Sequence, residues 1–145
     1  MIVYADSSAL VTRYAPAEED VLPADSAIAV SAIARVEVVS AIWRRARAGE
    51  ISLDDATSIV REFVADYQGT PDEERRYRPV AASRSLLERA SAIVSAHGLR
   101  TLDAVQLASA LAVRHSEPDC DTMVVLDERL RWAAATEGFA LLPVS

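Results

Sequence analysis

Residues 1–14 read MIVYADSSALVTRY and place a short apolar run directly before an acid and a helix-like segment. The run extends from Ile2 to Ala5, Asp6 ends it, and apolar residues then recur at helical spacing from residue 10 to residue 14. This pattern predicts a strand that is followed at once by a helix, with Asp6 between them. Short apolar strands alternating with helices are typical of parallel sheets covered on both faces.

The rest of the chain repeats this alternation of apolar runs and helical periods. Further strands are predicted at residues 27–30, 80–82, 123–126 and 139–142, and helices from about Ala32 to Ala48, Ser52 to Tyr67, Ser83 to Gly98, Thr101 to at least Ala112, and Glu128 to Glu137. Residues 68–79 lose the apolar period and are interpreted as a charged, mobile connection. The sequence therefore predicts one α/β domain over residues 1–145, with a short central parallel sheet of four to five strands and helices on both faces.

Composition limits the class of protein. The 145 residues are 51% hydrophobic and 26% charged, which is typical of a chain that folds around one core. No apolar run approaches the length of a membrane span, and the acid at position 6 is unlike a signal peptide. Cys120 is the one cysteine, so an internal disulfide is excluded, and we expect a reducing, cytoplasmic setting.

The charge pattern excludes several mechanisms. All 15 basic residues are arginine, so catalysis by lysine, including Schiff-base and P-loop chemistry, is excluded. A net charge of -7 ordinarily argues against a nucleic-acid partner. That argument fails where carboxylates surround bound cations, because the acids are then neutralised where a phosphate would lie.

Two acids follow predicted strands at the edge of the sheet where ligands usually bind. Asp6 follows the first strand and Asp127 follows the run at residues 123–126. If these strands are neighbours, both carboxylates face one crevice at the carboxyl ends of the strands. Each acid also has a simpler interpretation as a helix N-cap.

Two further acids lie in largely apolar helical segments. Glu37 has no basic residue three or four positions away, so it must face solvent, a distant arginine or a cation. Asp103 lies in the first turn of its predicted helix, where it either compensates the helix dipole or joins the other acids.

Convergence of these four acids would require a positive partner. Two unit charges about 4 Å apart repel by roughly 4 kcal/mol at an effective dielectric constant of about 20. Oxygen ligands favour Mg²⁺ or Mn²⁺, and ions of this kind activate water for attack on phosphodiesters. The hypothesis is metal-assisted phosphodiester hydrolysis.

Four motifs in this order resemble the PIN-domain family, in particular the VapC-type toxins of toxin-antitoxin pairs. The motifs are YADSSALV at residues 4–11, SAIARVEV at 31–38, LDAVQLASA at 102–110, and LDERLRWAA at 126–134 followed by EGF at 137–139. The resemblance implies a single PIN-like domain and a Mg²⁺- or Mn²⁺-dependent endoribonuclease that cleaves single-stranded or loop RNA. It also implies a cognate antitoxin and a homodimer.

The same resemblance assigns roles to individual residues. Asp6 and Asp103 are expected to be the main metal ligands, and Glu37 and Asp127 to bind secondarily or through water. Ser8 corresponds to a hydroxyl that the family keeps near the metal. Val125 stands where many relatives have threonine, two residues before the fourth acid.

Two arginine clusters are candidate RNA contacts. Arg44 and Arg45 precede the end of the second predicted helix, where they either bind phosphate or compensate the helix dipole. Arg75 and Arg76 lie in the charged connection, where they either bind phosphate or are simply solvated.

Two alternatives to the ribonuclease hypothesis remain. A phosphatase of the haloacid-dehalogenase type would need an acid two residues after Asp6, where Ser8 stands, and a lysine, which the chain lacks. A catalytically silent PIN-fold module that binds proteins is the second alternative.

Overall fold

The computed structural model describes residues 1–144, in which five strands and six helices follow in the order β1-α1-β2-α2-α3-β3-α4-α5-β4-α6-β5. The strands are β1 (Ile2–Ala5), β2 (Ala27–Ser31), β3 (Tyr77–Val80), β4 (Thr122–Val124) and β5 (Ala140–Leu142). The helices are α1 (Ser7–Tyr14), α2 (Ala34–Arg47), α3 (Leu53–Gln68), α4 (Arg84–His97), α5 (Thr101–Ser116) and α6 (Glu128–Thr136).

The five strands form one parallel sheet in the order β3-β2-β1-β4-β5. The chain builds outward from β1 to β3 on one side, then crosses to the other side for β4 and β5. The strand order therefore reverses between β1 and β4, which pair in register as Tyr4 with Met123 and Ala5 with Val124. A crevice at the carboxyl ends of such strands is the usual ligand site of an open α/β sheet.

The two faces of the sheet pack against different helices. On β1, Tyr4 joins the core formed with α4, α5 and α6, whereas Val3 and Ala5 join the core formed with α1, α2 and α3. All four β1 residues are buried, as the near-continuous apolar run predicts for a strand covered on both sides. The predicted fold class is confirmed.

The third strand was predicted in the wrong place. It spans Tyr77–Val80 rather than residues 80–82, so it begins within the segment interpreted as a mobile connection. β3 is an edge strand, and the edge tolerates Pro79, which cannot donate a ladder hydrogen bond. Because Arg78 is exposed and Pro79 disfavours strands, this segment lacks the apolar pattern from which a strand is predicted.

Smaller differences affect two other elements. α2 begins at Ala34, two residues later than predicted, because β2 continues to Ser31. The Ser31 hydroxyl accepts the backbone N–H of Ile33 at 3.2 Å. β4 ends at Val124, two residues earlier than predicted.

Among residues 1–144, no helix is both long enough and apolar enough to cross a bilayer.

Candidate metal site

Asp6 links β1 to α1 and is almost completely buried. Its Oδ1 accepts the backbone N–H of Ala9 at 3.1 Å, so it is the N-cap of α1. The hydroxyl of Ser8 donates to Oδ1 at 2.8 Å and lies 3.0 Å from Oδ2. Ser8 is thus held against the carboxylate of Asp6, and the capping interpretation of Asp6 is correct.

Burial controls the protonation of Asp6. Desolvation raises its pKa from 3.8 to about 7, although the hydrogen bonds from Ser8 and Ala9 act in the opposite direction. The negative charges of Glu37 and Asp103 raise the pKa of Asp6 further. Asp6 therefore holds a proton at neutral pH in much of the population unless a cation takes its place.

Asp103 and Asp127 are the other two of the four predicted acids. Asp127 is the N-cap of α6, with its Oδ2 accepting the backbone N–H of Leu130 at 2.9 Å. Burial raises the pKa of Asp103, and the charge of Asp127 adds to the increase. Charge repulsion therefore acts between Asp6 and both Glu37 and Asp103, and between Asp103 and Asp127.

An arginine that sequence reasoning did not single out lies between the last two acids. Arg100 Nη2 is 3.4 Å from Asp103 Oδ2 and 3.6 Å from Asp127 Oδ1. The arginine side chain is 73% exposed, so solvent screens both ion pairs. Arg100 lowers the pKa of Asp103 but not enough to offset its burial.

The chemistry of these residues fits a hard divalent cation. Oδ2 of Asp103 is buried and, among residues 1–144, makes no hydrogen bond of good geometry, so the ion pair with Arg100 at 3.4 Å compensates it only weakly. Carboxylates and a serine hydroxyl are oxygen donors of the kind that Mg²⁺ and Mn²⁺ prefer. Within the described chain, however, no three Asp, Glu, His or Cys side chains are arranged to hold a metal ion as they stand. Binding by three of the acids therefore requires side-chain rotation, away from Arg100 in the case of Asp103.

Glu37 is held by two side chains that sequence reasoning missed. The hydroxyl of Ser7 donates to Glu37 Oε1 at 2.7 Å, and Gln106 Nε2 donates to the same oxygen at 2.9 Å. Gln106 lies on α5 and is almost fully buried. Gln106 is a polar residue in an otherwise apolar stretch of helix, as Glu37 is, so the same sequence pattern could have indicated it.

A cavity of about 310 Å³ opens beside the acids. Ser8 and Glu37 line one part of it, and Arg44 and Arg45 line another. Arg45 is partly committed elsewhere, because its guanidinium donates to Glu18 at 3.1 Å and to the backbone of Ala41 at 3.2 Å. The cavity thus brings the first predicted arginine cluster next to Glu37, which is the one of the four predicted acids in its lining.

The second arginine cluster lies apart from the acids. Arg75 and Arg76 line a separate cavity with Ala27, the first residue of β2. They therefore lie toward the amino ends of the strands, whereas Asp6 follows the carboxyl end of β1. Arg76 also pairs with Asp66 at 3.4 Å. The structure does not bring this cluster to the acidic group.

Val125 stands two residues before Asp127, at the position where the resemblance to the PIN-domain family would place a threonine hydroxyl. Its side chain is fully buried in the core, and its backbone N–H donates to Leu142 at 2.9 Å. It therefore supplies no polar group to Asp127.

Comparison with known proteins shows similarity in structure rather than in sequence. No model of a protein family matches the chain, and no curated protein matches it. The solved structure of PAE2754 from Pyrobaculum aerophilum is 18% identical, with a TM-score of 0.61 over 98% of this chain and 90% of its own. That of FitAcB from Neisseria gonorrhoeae is 17% identical, with a TM-score of 0.55 over 97% and 96% of the two chains. At these identities the likeness concerns the fold, which is PIN-like.

Proposed function

We propose that this PIN-like chain is a Mg²⁺- or Mn²⁺-dependent endoribonuclease toxin that cleaves single-stranded or loop RNA and is neutralised by a cognate antitoxin. The observation that carries the proposal is a group of four carboxylates that repel one another, in which Asp103 Oδ2 is buried and has only an ion pair with the exposed Arg100 at 3.4 Å. Such an arrangement is costly without a cation and is stabilised by one.

The acids have distinct roles in this proposal. Asp6 and Asp103 are the main ligands, and Glu37 and Asp127 bind the ion secondarily or through water. The ion supplies an activated water and neutralises charge on the scissile phosphate. Ser8 orients the carboxylate of Asp6, to which it already donates a hydrogen bond.

Substrate binding is assigned to the cavity beside the acids. Arg44 and Arg45 line this cavity and would contact the RNA backbone, with Arg44 the freer of the two because Arg45 bonds to Glu18. We leave Arg75 and Arg76 out of the proposed RNA path because they lie toward the opposite edge of the sheet. We also propose a homodimer in the cytoplasm, as the resemblance of the motifs implies.

RNA cleavage tests the proposal directly. Wild type is incubated with a labelled single-stranded RNA and Mn²⁺, and Asp6→Asn and Asp103→Asn are compared with Asp54→Asn. Asp54 is an exposed acid in the first turn of α3, so its variant controls for the loss of one charge. We expect the two site variants to lose cleavage and the control to retain it.

The product ends provide a second criterion. Attack by water in line with the 3′ leaving group leaves a 5′-phosphate and a 3′-hydroxyl. A 2′,3′-cyclic phosphate, or cleavage that is unaffected by Asp6→Asn, would contradict the proposal. Inhibition by the product of a small neighbouring reading frame tests the antitoxin.

A catalytically silent module that binds proteins is the second candidate. It is favoured by the finding that no three acids within residues 1–144 are placed to hold an ion as they stand. Absence of both Mn²⁺ binding and cleavage in well-folded wild type would support this candidate.

A further inference from the structure

A buried chain of hydrogen bonds connects the centre of the sheet to Glu37. The Tyr4 hydroxyl donates to Gln106 Oε1 at 2.6 Å. Gln106 Nε2 donates to Ser7 Oγ at 2.8 Å and to Glu37 Oε1 at 2.9 Å, and Ser7 Oγ also donates to Glu37 Oε1 at 2.7 Å. The four side chains come from β1, α1, α2 and α5, so the chain spans elements on both faces of the sheet.

The chemistry of the groups fixes the direction of every bond. An ionised carboxylate only accepts, so the NH₂ side of the Gln106 amide must face Glu37. The amide oxygen then faces Tyr4, which must donate. The Tyr4 hydroxyl lies 2.6 Å from that oxygen, a distance that fits a donated hydrogen bond. The Gln106 amide therefore has one favoured orientation.

This arrangement treats the two oxygens of Glu37 differently. Both donors contact Oε1, and none of the side-chain hydrogen bonds among residues 1–144 goes to Oε2. Glu37 lines the cavity beside the acids, and its charge acts on Asp6. Oε1 is thus anchored by two donors, whereas Oε2 keeps its capacity to accept.

We propose that Gln106 is a positioning residue which, braced by Tyr4, anchors Oε1 of Glu37 so that Oε2 is presented to a divalent cation or its water. The inference rests on the proposed metal site. Groups that orient a ligand in this way typically contribute 10- to 100-fold to metal affinity. Because Glu37 is a secondary ligand here, we expect an effect near the lower end, about tenfold.

Mn²⁺ binding, measured by the electron paramagnetic resonance signal of the free ion, tests the role without a substrate. Gln106→Met removes the donor while keeping an unbranched side chain of similar length. Leu107→Met is the matched control, since it places the same residue at the next position of α5, which is also fully buried. We expect Gln106→Met to weaken Mn²⁺ binding about tenfold and Leu107→Met to leave it within twofold.

A double-mutant cycle separates positioning from a general structural effect. In a Glu37→Gln background, Gln106→Met should weaken Mn²⁺ binding no further, because Gln106 acts only through the Glu37 carboxylate. Equal weakening in both backgrounds would overturn the inference, as would unchanged Mn²⁺ affinity in the single variant.

Two outcomes would obscure this test, namely unfolding of the Gln106→Met variant and absence of the proposed metal site, and each has its own control. If Gln106→Met unfolds because the Tyr4 hydroxyl loses its acceptor, the pair Tyr4→Phe with Gln106→Met removes both polar groups and is measured instead. The pair should bind Mn²⁺ about tenfold more weakly than wild type, and affinity equal to that of wild type would overturn the inference. Mn²⁺ binding that is insensitive to Asp6→Asn would refute the proposed site itself, whereas sensitivity to Asp6→Asn without sensitivity to Gln106→Met would refute only the positioning role.

Discussion

The burial of Asp6 makes the stability of the metal-free protein fall as pH rises. In the folded chain its pKa is about 7, whereas its ordinary value is 3.8. A carboxyl whose pKa is raised by folding stabilises the folded state only while it is protonated, and this contribution is lost as pH rises through the folded value. The difference corresponds to about 4 kcal/mol once Asp6 is ionised in both states.

The Asp6→Asn variant isolates this contribution. Asparagine is also a good N-cap, so its side-chain oxygen can keep the hydrogen bond from the backbone of Ala9, but it does not ionise. Between pH 5 and pH 8, with EDTA present, we expect wild type to lose about 2–3 kcal/mol of unfolding free energy relative to Asp6→Asn. A loss of this size is a large fraction of the 5–15 kcal/mol that stabilises a typical domain.

Urea denaturation at pH 5, 6, 7 and 8 measures the effect, with the slopes against urea checked for equality between variants. Saturating Mn²⁺ should remove most of the difference at pH 8, because an ion that binds only the folded acids stabilises that state. Parallel stability curves for wild type and Asp6→Asn in EDTA would refute the assigned cost of burying Asp6.

Three further substitutions test other parts of the structure. Arg100→Gln removes the cation that pairs with Asp103 and Asp127. Because arginine and metal compete for these acids, Mn²⁺ should bind up to about fivefold more tightly in a calorimetric titration. Weaker binding would contradict this competition. Phe63→Ala should destabilise the fold by about 3–5 kcal/mol in urea, because Phe63 is fully buried. Gly98→Ala should cost only about 1 kcal/mol by the same measurement, since the residue has a φ of +63° but an added Cβ meets no atom within 4 Å.

The elements that follow strong local patterns were predictable from the sequence. β1 has the bounds that the apolar run indicates, and α1 follows Asp6 as the helical period predicts. β1 and β4 are neighbours, which is the condition under which Asp6 and Asp127 were expected to face one crevice. β3 was misplaced because an edge strand needs neither alternation nor full burial. Its position is set by pairing with β2, which local sequence does not encode.

The candidate site was predictable in its acids but not in the side chains that hold them. Glu37 attracted attention because a charge in an apolar segment needs an explanation. Gln106 carries no charge, so its burial and its bond to Glu37 depend on how α2 and α5 meet across the fold. Arg100 likewise pairs with Asp127 only because α5 and α6 are neighbours in space.

The capping and metal-ligand interpretations of the acids support each other rather than compete. Asp6 and Asp127 cap α1 and α6, and Asp103 lies in the first turn of α5, so each acid is next to the positive end of a helix. Each helix terminus stabilises a carboxylate by roughly 0.3–1 kcal/mol, rising to about 2 kcal/mol in partly buried sites. The cost of ionising Asp6 is larger, about 4 kcal/mol, and its pKa near 7 is reached despite its capping bond. The helices therefore gather the acids without neutralising them, and the remaining charge is what a divalent cation would offset.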